Sequence, residues 1–179
     1  MKFTDEQRLI VMMLADIQKA LNVRGDLDAD FISKAAAWKN EFSIGWHHGS
    51  YFDDTDTPPD FRFVLDVLDM FSFLEPANDS LTPSERQDLD SRVGWNTAGP
   101  LFTGFDGNNE SELRSYVVVA IDDLGFYPEL KRGKFDSFNS HSQREDRYRA
   151  MLNVFKPIRA QLLDRKLTID ELAAVISAR

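Results

Sequence analysis

The same helix-start signal occurs three times in this chain, and the pattern behind each copy has a helical period. Thr4 with Gln7, Thr82 with Glu85 and Thr168 with Glu171 each place a hydroxyl three residues ahead of a Glu or Gln. That spacing lets side chain and backbone satisfy each other's orphan groups at a helix N-terminus. Behind Thr4, the residues Ile10, Met13, Leu14, Ile17 and Leu21 recur at helical spacing. Behind Thr168, Leu172, Val175 and Ile176 do the same. Behind Thr82, Pro83 stands at the first helical position of a short, polar helix that ends near Val93.

Between these anchors the reading is also helical. Gly25 is expected to break the first helix, and a second starts near Asp28 and runs through Phe31, Ala35, Trp38 and Phe42. The run Asp53 to Asp60, with four aspartates and two prolines, reads as a loop; Thr57 and the prolines are placed to open the next helix. That helix carries Phe61, Val64, Leu65, Val67, Leu68, Phe71 and Leu74, against a polar strip of Arg62, Asp66 and Asp69. An arc so broad belongs near the centre, and Pro76 is expected to end it. The loop from Gly94 to Gly107 holds Trp95, Leu101, Phe102 and Phe105, expected to plug the core, with Asp106 or Asn108 capping a helix over roughly Asn109 to Leu124. Ser140 or Ser142 then caps a helix whose inner face is Tyr148, Met151, Leu152 and Phe155, broken or kinked at Pro157. The expectation is an all-α fold: a single compact multi-helical domain, residues 1–179, of about six or seven helices.

Composition fits such a core. Of the aromatic residues, 14 are Phe, 4 Tyr and 3 Trp, a choice that brings apolar area without polar atoms needing partners. The absence of cysteine excludes disulfides, a Cys-based zinc site and a thiol nucleophile. The apolar run from Leu9 to Leu14 is flanked by Asp5, Glu6 and Asp16, so it reads as neither signal peptide nor membrane span; a soluble, cytoplasmic protein is expected. The net charge of −9 is uneven. Residues 1–130 hold 10 basic and 24 acidic side chains, whereas residues 131–166 hold 10 basic and 4 acidic. Such asymmetry marks either a solvated helix surface or a face for an anion, a nucleic acid or an acidic protein.

No motif commits the chain to a reaction. Three aspartate runs resemble calcium loops, but an EF-hand needs glycine at position 6 and glutamate at 12. Asp26-x-Asp28-x-Asp30 has Phe31 and Ala37 there, Asp106-x-Asn108-x-Glu110 has Ser111 and Val117, and Asp54-x-Asp56 stops at prolines. No metal site is assigned. His47 and His48, with Asp53 and Asp54 nearby, are the sole catalytic candidates. A histidine can act as general base near neutral pH, yet adjacent residues on a helix point about 100° apart and cannot chelate together without irregular backbone. The serine-elbow, dinucleotide and Walker patterns are missing, and no cofactor is implied. Among the basic residues, Arg144, Arg147, Arg149 and Arg159, with Lys156, Arg165 and Lys166, could meet phosphates. The overall anionic charge weighs against nucleic acid, and pairing with the acidic portion of another subunit is preferred.

The chain resembles the YfbU family of bacterial proteins. The likeness rests on Thr4-Asp-Glu-Gln-Arg-Leu-Ile10, Phe102-Thr-Gly-Phe-Asp106, Phe138-Asn139, Tyr148-Arg-Ala-Met-Leu-Asn-Val154 and Leu172 to Ile176. The resemblance implies an all-helical cytoplasmic protein that tends to self-associate; it implies no reaction and carries over no catalytic residue. The expected function is therefore a non-enzymatic helical interaction or regulatory protein, a homo-oligomer using its charge asymmetry or an exposed apolar patch, with an unidentified protein partner also open. The alternatives are an enzyme using His47, His48, Asp53 and Asp54, and nucleic-acid binding through residues 131–166.

Overall fold

A computed structural model describes residues 2–52, 56–94, 101–132 and 136–179. Eight α-helices are present among them: α1 (Asp5–Ala20), α2 (Ala29–Ala37), α3 (Phe42–His47), α4 (Pro59–Asp79), α5 (Pro83–Val93), α6 (Ser111–Val118), α7 (Glu145–Arg159) and α8 (Ile169–Ser177). No strand occurs among the described residues; Phe105 and Asn139 form an isolated parallel bridge. The architecture is all-α. The helices fall into two units, Met1–Pro59 with Asp122–Leu124, and Asp60–Ile121 with Gly125–Arg179.

In the first unit, the Thr4–Gln7 capping box opens α1 as its sequence predicts. The helix ends earlier than Gly25, however, with Leu21 as its cap and Asn22 in the left-handed region at φ 50°. Asp28 caps α2 by accepting the N–H groups of Asp30 and Phe31, both at 3.0 Å. The predicted single helix from Asp28 to Phe42 is two, because Lys39 at φ 59° turns the chain between α2 and α3. α1 packs along α2 through the side that carries the buried Ala15. Arg8 joins it to the start of α3 through the buried Glu41, with nitrogen–oxygen distances of 2.5 and 3.1 Å. Lys34 reaches Asp123 at 2.5 Å.

The second unit is built around α4, whose Phe61, Val64, Val67, Leu68, Phe71 and Leu74 are all buried, as its broad apolar arc requires. Pro76 does not end the helix, which continues to Asp79. A proline this close to the C-terminus removes one backbone bond, and the buried Ala77 and Asn78 hold the last turn in place. Pro157 sits equally near the end of α7 and likewise leaves the helix running to Arg159. The capping boxes at Thr82 and Thr168 are both formed, and Gly94 ends α5 in the left-handed conformation.

Phe102 and Phe105 plug this core, as expected; Leu101 stays exposed, and Trp95 lies outside the described residues. Phe71 meets Phe102 at 5.4 Å and Tyr148 at 5.3 Å between ring centroids, and Tyr148 meets Phe105 edge-on at 5.3 Å. The predicted helix to Leu124 is α6 followed by a wider π turn over Val119–Asp123. Two expected caps are replaced. Asp106 accepts the Asn108 N–H and the Asn109 amide, so it closes the turn ahead of α6 rather than capping the helix. Ser140 and Ser142 bond each other's carbonyl oxygens, and the first N–H groups of α7 go to the carboxylate of Glu110 instead.

Candidate functional site

The two candidate histidines lie where α3 stops. His47 is its last residue and His48 its cap, at φ −117° and ψ 42°, so the backbone leaves helical geometry between them. That irregularity lets adjacent rings meet: His47 Nδ1 lies 3.2 Å from His48 Nε2. Phe31 stacks on His47 at 4.3 Å, and His48 is buried. Burial, with His47 alongside, pulls the His48 pKa below the usual histidine value. The facing nitrogens point at each other, not at a shared third point. Among the described residues, no three His, Asp or Glu side chains are placed to hold a metal ion. Asp53 and Asp54 lie outside the described residues.

The basic segment is largely matched within its own unit. Arg149 donates to Glu145 at 2.6 and 2.8 Å and lies 4.0 Å over the Phe63 ring. Arg159 donates to Asp69 at 3.0 Å and lies 4.4 Å over Phe73, while Lys156 pairs with Asp66 at 2.7 Å. Arg165 grips Glu171 with two bonds of 2.7 Å. The predicted polar strip of α4 thus receives the cations of α7. Arg147 donates to the Ile176 carbonyl at 3.5 Å. The Arg144 Nε is buried with no hydrogen-bond partner among the described residues, and burial beside Arg144 and Arg179 lowers the Arg147 pKa. Arg147 also lines a cleft of about 610 Å³ with Arg92, Asp146 and Arg179.

A run of exposed apolar side chains lies on α1. Ile10, Met13, Leu14, Ile17 and Leu21, which recur at helical spacing, are 51–69% exposed together with Leu9. The reason is that α1 has apolar residues on two sides, and the packed side belongs to Ala15 with the half-buried Val11 and Met12. Val23 and Leu27, just beyond the helix, are exposed too. With Leu14, Ile17, Leu21 and Tyr51 they line an open groove of about 540 Å³ along the C-terminal half of α1. The available signal was the surplus of large apolar residues round the helix, more than one neighbour can cover.

Three of the segments that carry the family resemblance meet in the second unit: Phe102–Asp106, Phe138–Asn139 and the start of Tyr148–Val154. Gly104, at φ 83°, lies so close to Phe138 that a Cβ there would sit 1.9 Å from its carbonyl oxygen. Phe105 and Phe138 share a backbone bond, Asn139 accepts the N–H groups of Gly107 and His141, and the Tyr148 hydroxyl donates to the Gly104 carbonyl. These contacts build a junction, not a pocket. The YfbU domain pattern matches residues 1–178. The chain is also similar to the UPF0304 protein MJECS11 of Methanocaldococcus jannaschii, 28% identical over 98 residues that cover 53% of this chain. The match spans about half of that relative's length, 54%. With the domain pattern covering all but the last residue, this chain belongs to the YfbU family.

Proposed function

We propose that this protein acts in the cytoplasm as a non-catalytic helical interaction protein, one functional domain over residues 1–179, and that it self-associates. The observation that carries this reading is the exposed apolar face of α1. Of the two devices open to the sequence, charge asymmetry and an apolar patch, the second has the better support, because Arg149, Lys156, Arg159 and Arg165 already have carboxylate partners in their own unit. The same pairing leaves a nucleic acid fewer cations to engage. The ring-to-ring contact of His47 and His48 occupies one nitrogen of each, which weakens the general-base alternative. The reading assigns no cofactor.

Light scattering over a range of protein and salt concentrations tests it. An apolar contact persists in high salt, since screening acts on exposed charges and not on buried apolar area. A monomer under every condition would overturn the proposal.

A further inference from the structure

The reading above deepens into a specific geometry. We infer that two copies pair through α1 in antiparallel order, around a two-fold axis beside Ala15 and Asp16. Leu14 then lies against Ile17 of the other copy, and Ile10 against Leu21. This inference rests on self-association and adds the partner, the surface and the register.

Three observations carry it. The first is spacing. Ile10, Leu14, Ile17 and Leu21 are separated by four, three and four residues, the seam period of paired helices. Read backwards the series is identical, so the face complements itself under a two-fold axis, as an isologous interface must. A heterologous partner would have no use for that symmetry.

The second is area. Half-exposed aliphatic side chains offer roughly 100 Å² each, so the eight on and just beyond α1 supply roughly 800 Å². A stable interface of standard size takes about 800 Å² from each partner. The exposed face therefore suffices for a dimer without a further surface.

The third is direction. The groove lies only along the C-terminal half of α1. In an antiparallel pair, the apolar N-terminal half of each helix, with Leu9 and Met13 beside the seam, lies over the other copy's groove, and both grooves are filled. In a parallel pair the two grooves would face each other and stay empty. Antiparallel order also keeps the acidic first turns of the two copies, Asp5 and Glu6, apart. The helix macrodipoles oppose in the favourable sense.

The chain lacks cysteine, so disulfide mapping is clean. In the double variant Ile10→Cys/Leu21→Cys, positions 10 and 21 of one helix are about 16 Å apart and cannot join within a copy. Oxidation followed by peptide mapping should find position 10 joined to position 21. Links of 10 to 10 and 21 to 21 would show parallel pairing and overturn the geometry while leaving self-association intact. A dimer that forms no link and is unchanged by Leu14→Glu would place the interface elsewhere and overturn the inference alone. A protein that stays monomeric overturns both it and the self-association reading. Circular dichroism confirms that each variant keeps its helices; these side chains are exposed, so the monomer fold does not depend on them.

Discussion

Glu110 caps a helix that begins 34 residues further along the chain: its Oε1 accepts the backbone N–H of Arg144 at 2.7 Å. The same oxygen accepts the Glu145 N–H at 2.8 Å, and Oε2 takes that of Asp106 at 2.9 Å. Two donors at the start of α7 and one of the turn ahead of α6 are thus held by a single buried carboxylate, which also faces the positive end of the α7 dipole. Glu110→Ala should destabilise the protein by about 2–3 kcal/mol, because it leaves buried N–H groups unmet. Glu110→Gln keeps an acceptor and should lose about 1 kcal/mol. Urea unfolding of the three proteins checks the order.

Gly104 and Gly94 make an internal comparison of backbone strain. Both are left-handed, at φ 83° and 70°, but a Cβ at Gly94 meets nothing within 4 Å, whereas at Gly104 it strikes the Phe138 carbonyl. Gly94→Ala should cost about 1–2 kcal/mol, from the left-handed conformation alone. Gly104→Ala should exceed this by at least about 2 kcal/mol, since the backbone bond from Phe105 to the Phe138 carbonyl must open. Equal losses in thermal melts would show that the junction yields freely.

Two of the groups with lowered pKa values contribute to acid sensitivity in separate windows. His48 has a lowered folded pKa, so the unfolded chain binds its proton first, and stability falls as pH drops below the ordinary histidine value. Glu171 is pulled down to about 2 by Arg165 and by the Thr168 cap. Its contribution is whole above the unfolded carboxylate value and is lost as pH falls through about 2. Melting temperatures at pH 7.5 and 5 should therefore differ in the wild type and differ less in His48→Gln. Glu171→Gln should lower stability at pH 7 by about 1 kcal/mol and flatten the response below pH 4.

What the sequence makes legible here is local. The caps at Thr4, Thr82 and Thr168 were readable because both partners sit within one helical turn. The cap of α7 was not, since its acceptor stands 34 residues earlier and nothing near Ser140 signals it. The prolines misled for a related reason: Pro76 and Pro157 each remove one bond near a helix end, and packing keeps the remaining turn. For the candidate surface, periodicity identifies the residues of α1 that share a face. A period says which side chains share a face; it does not say what that face meets. The aromatic plugs Phe102 and Phe105 were read correctly because residues so large and apolar in a short loop have few other places to go.

The molar mass of the wild type beside that of Leu14→Glu/Ile17→Glu, measured by sedimentation at matched concentration in high salt, tests the α1 interface most directly. The expected result is a dimer for the wild type and a monomer of unchanged helical content for the variant. A dimer in both would contradict it, and so would a wild type that is monomeric at every concentration.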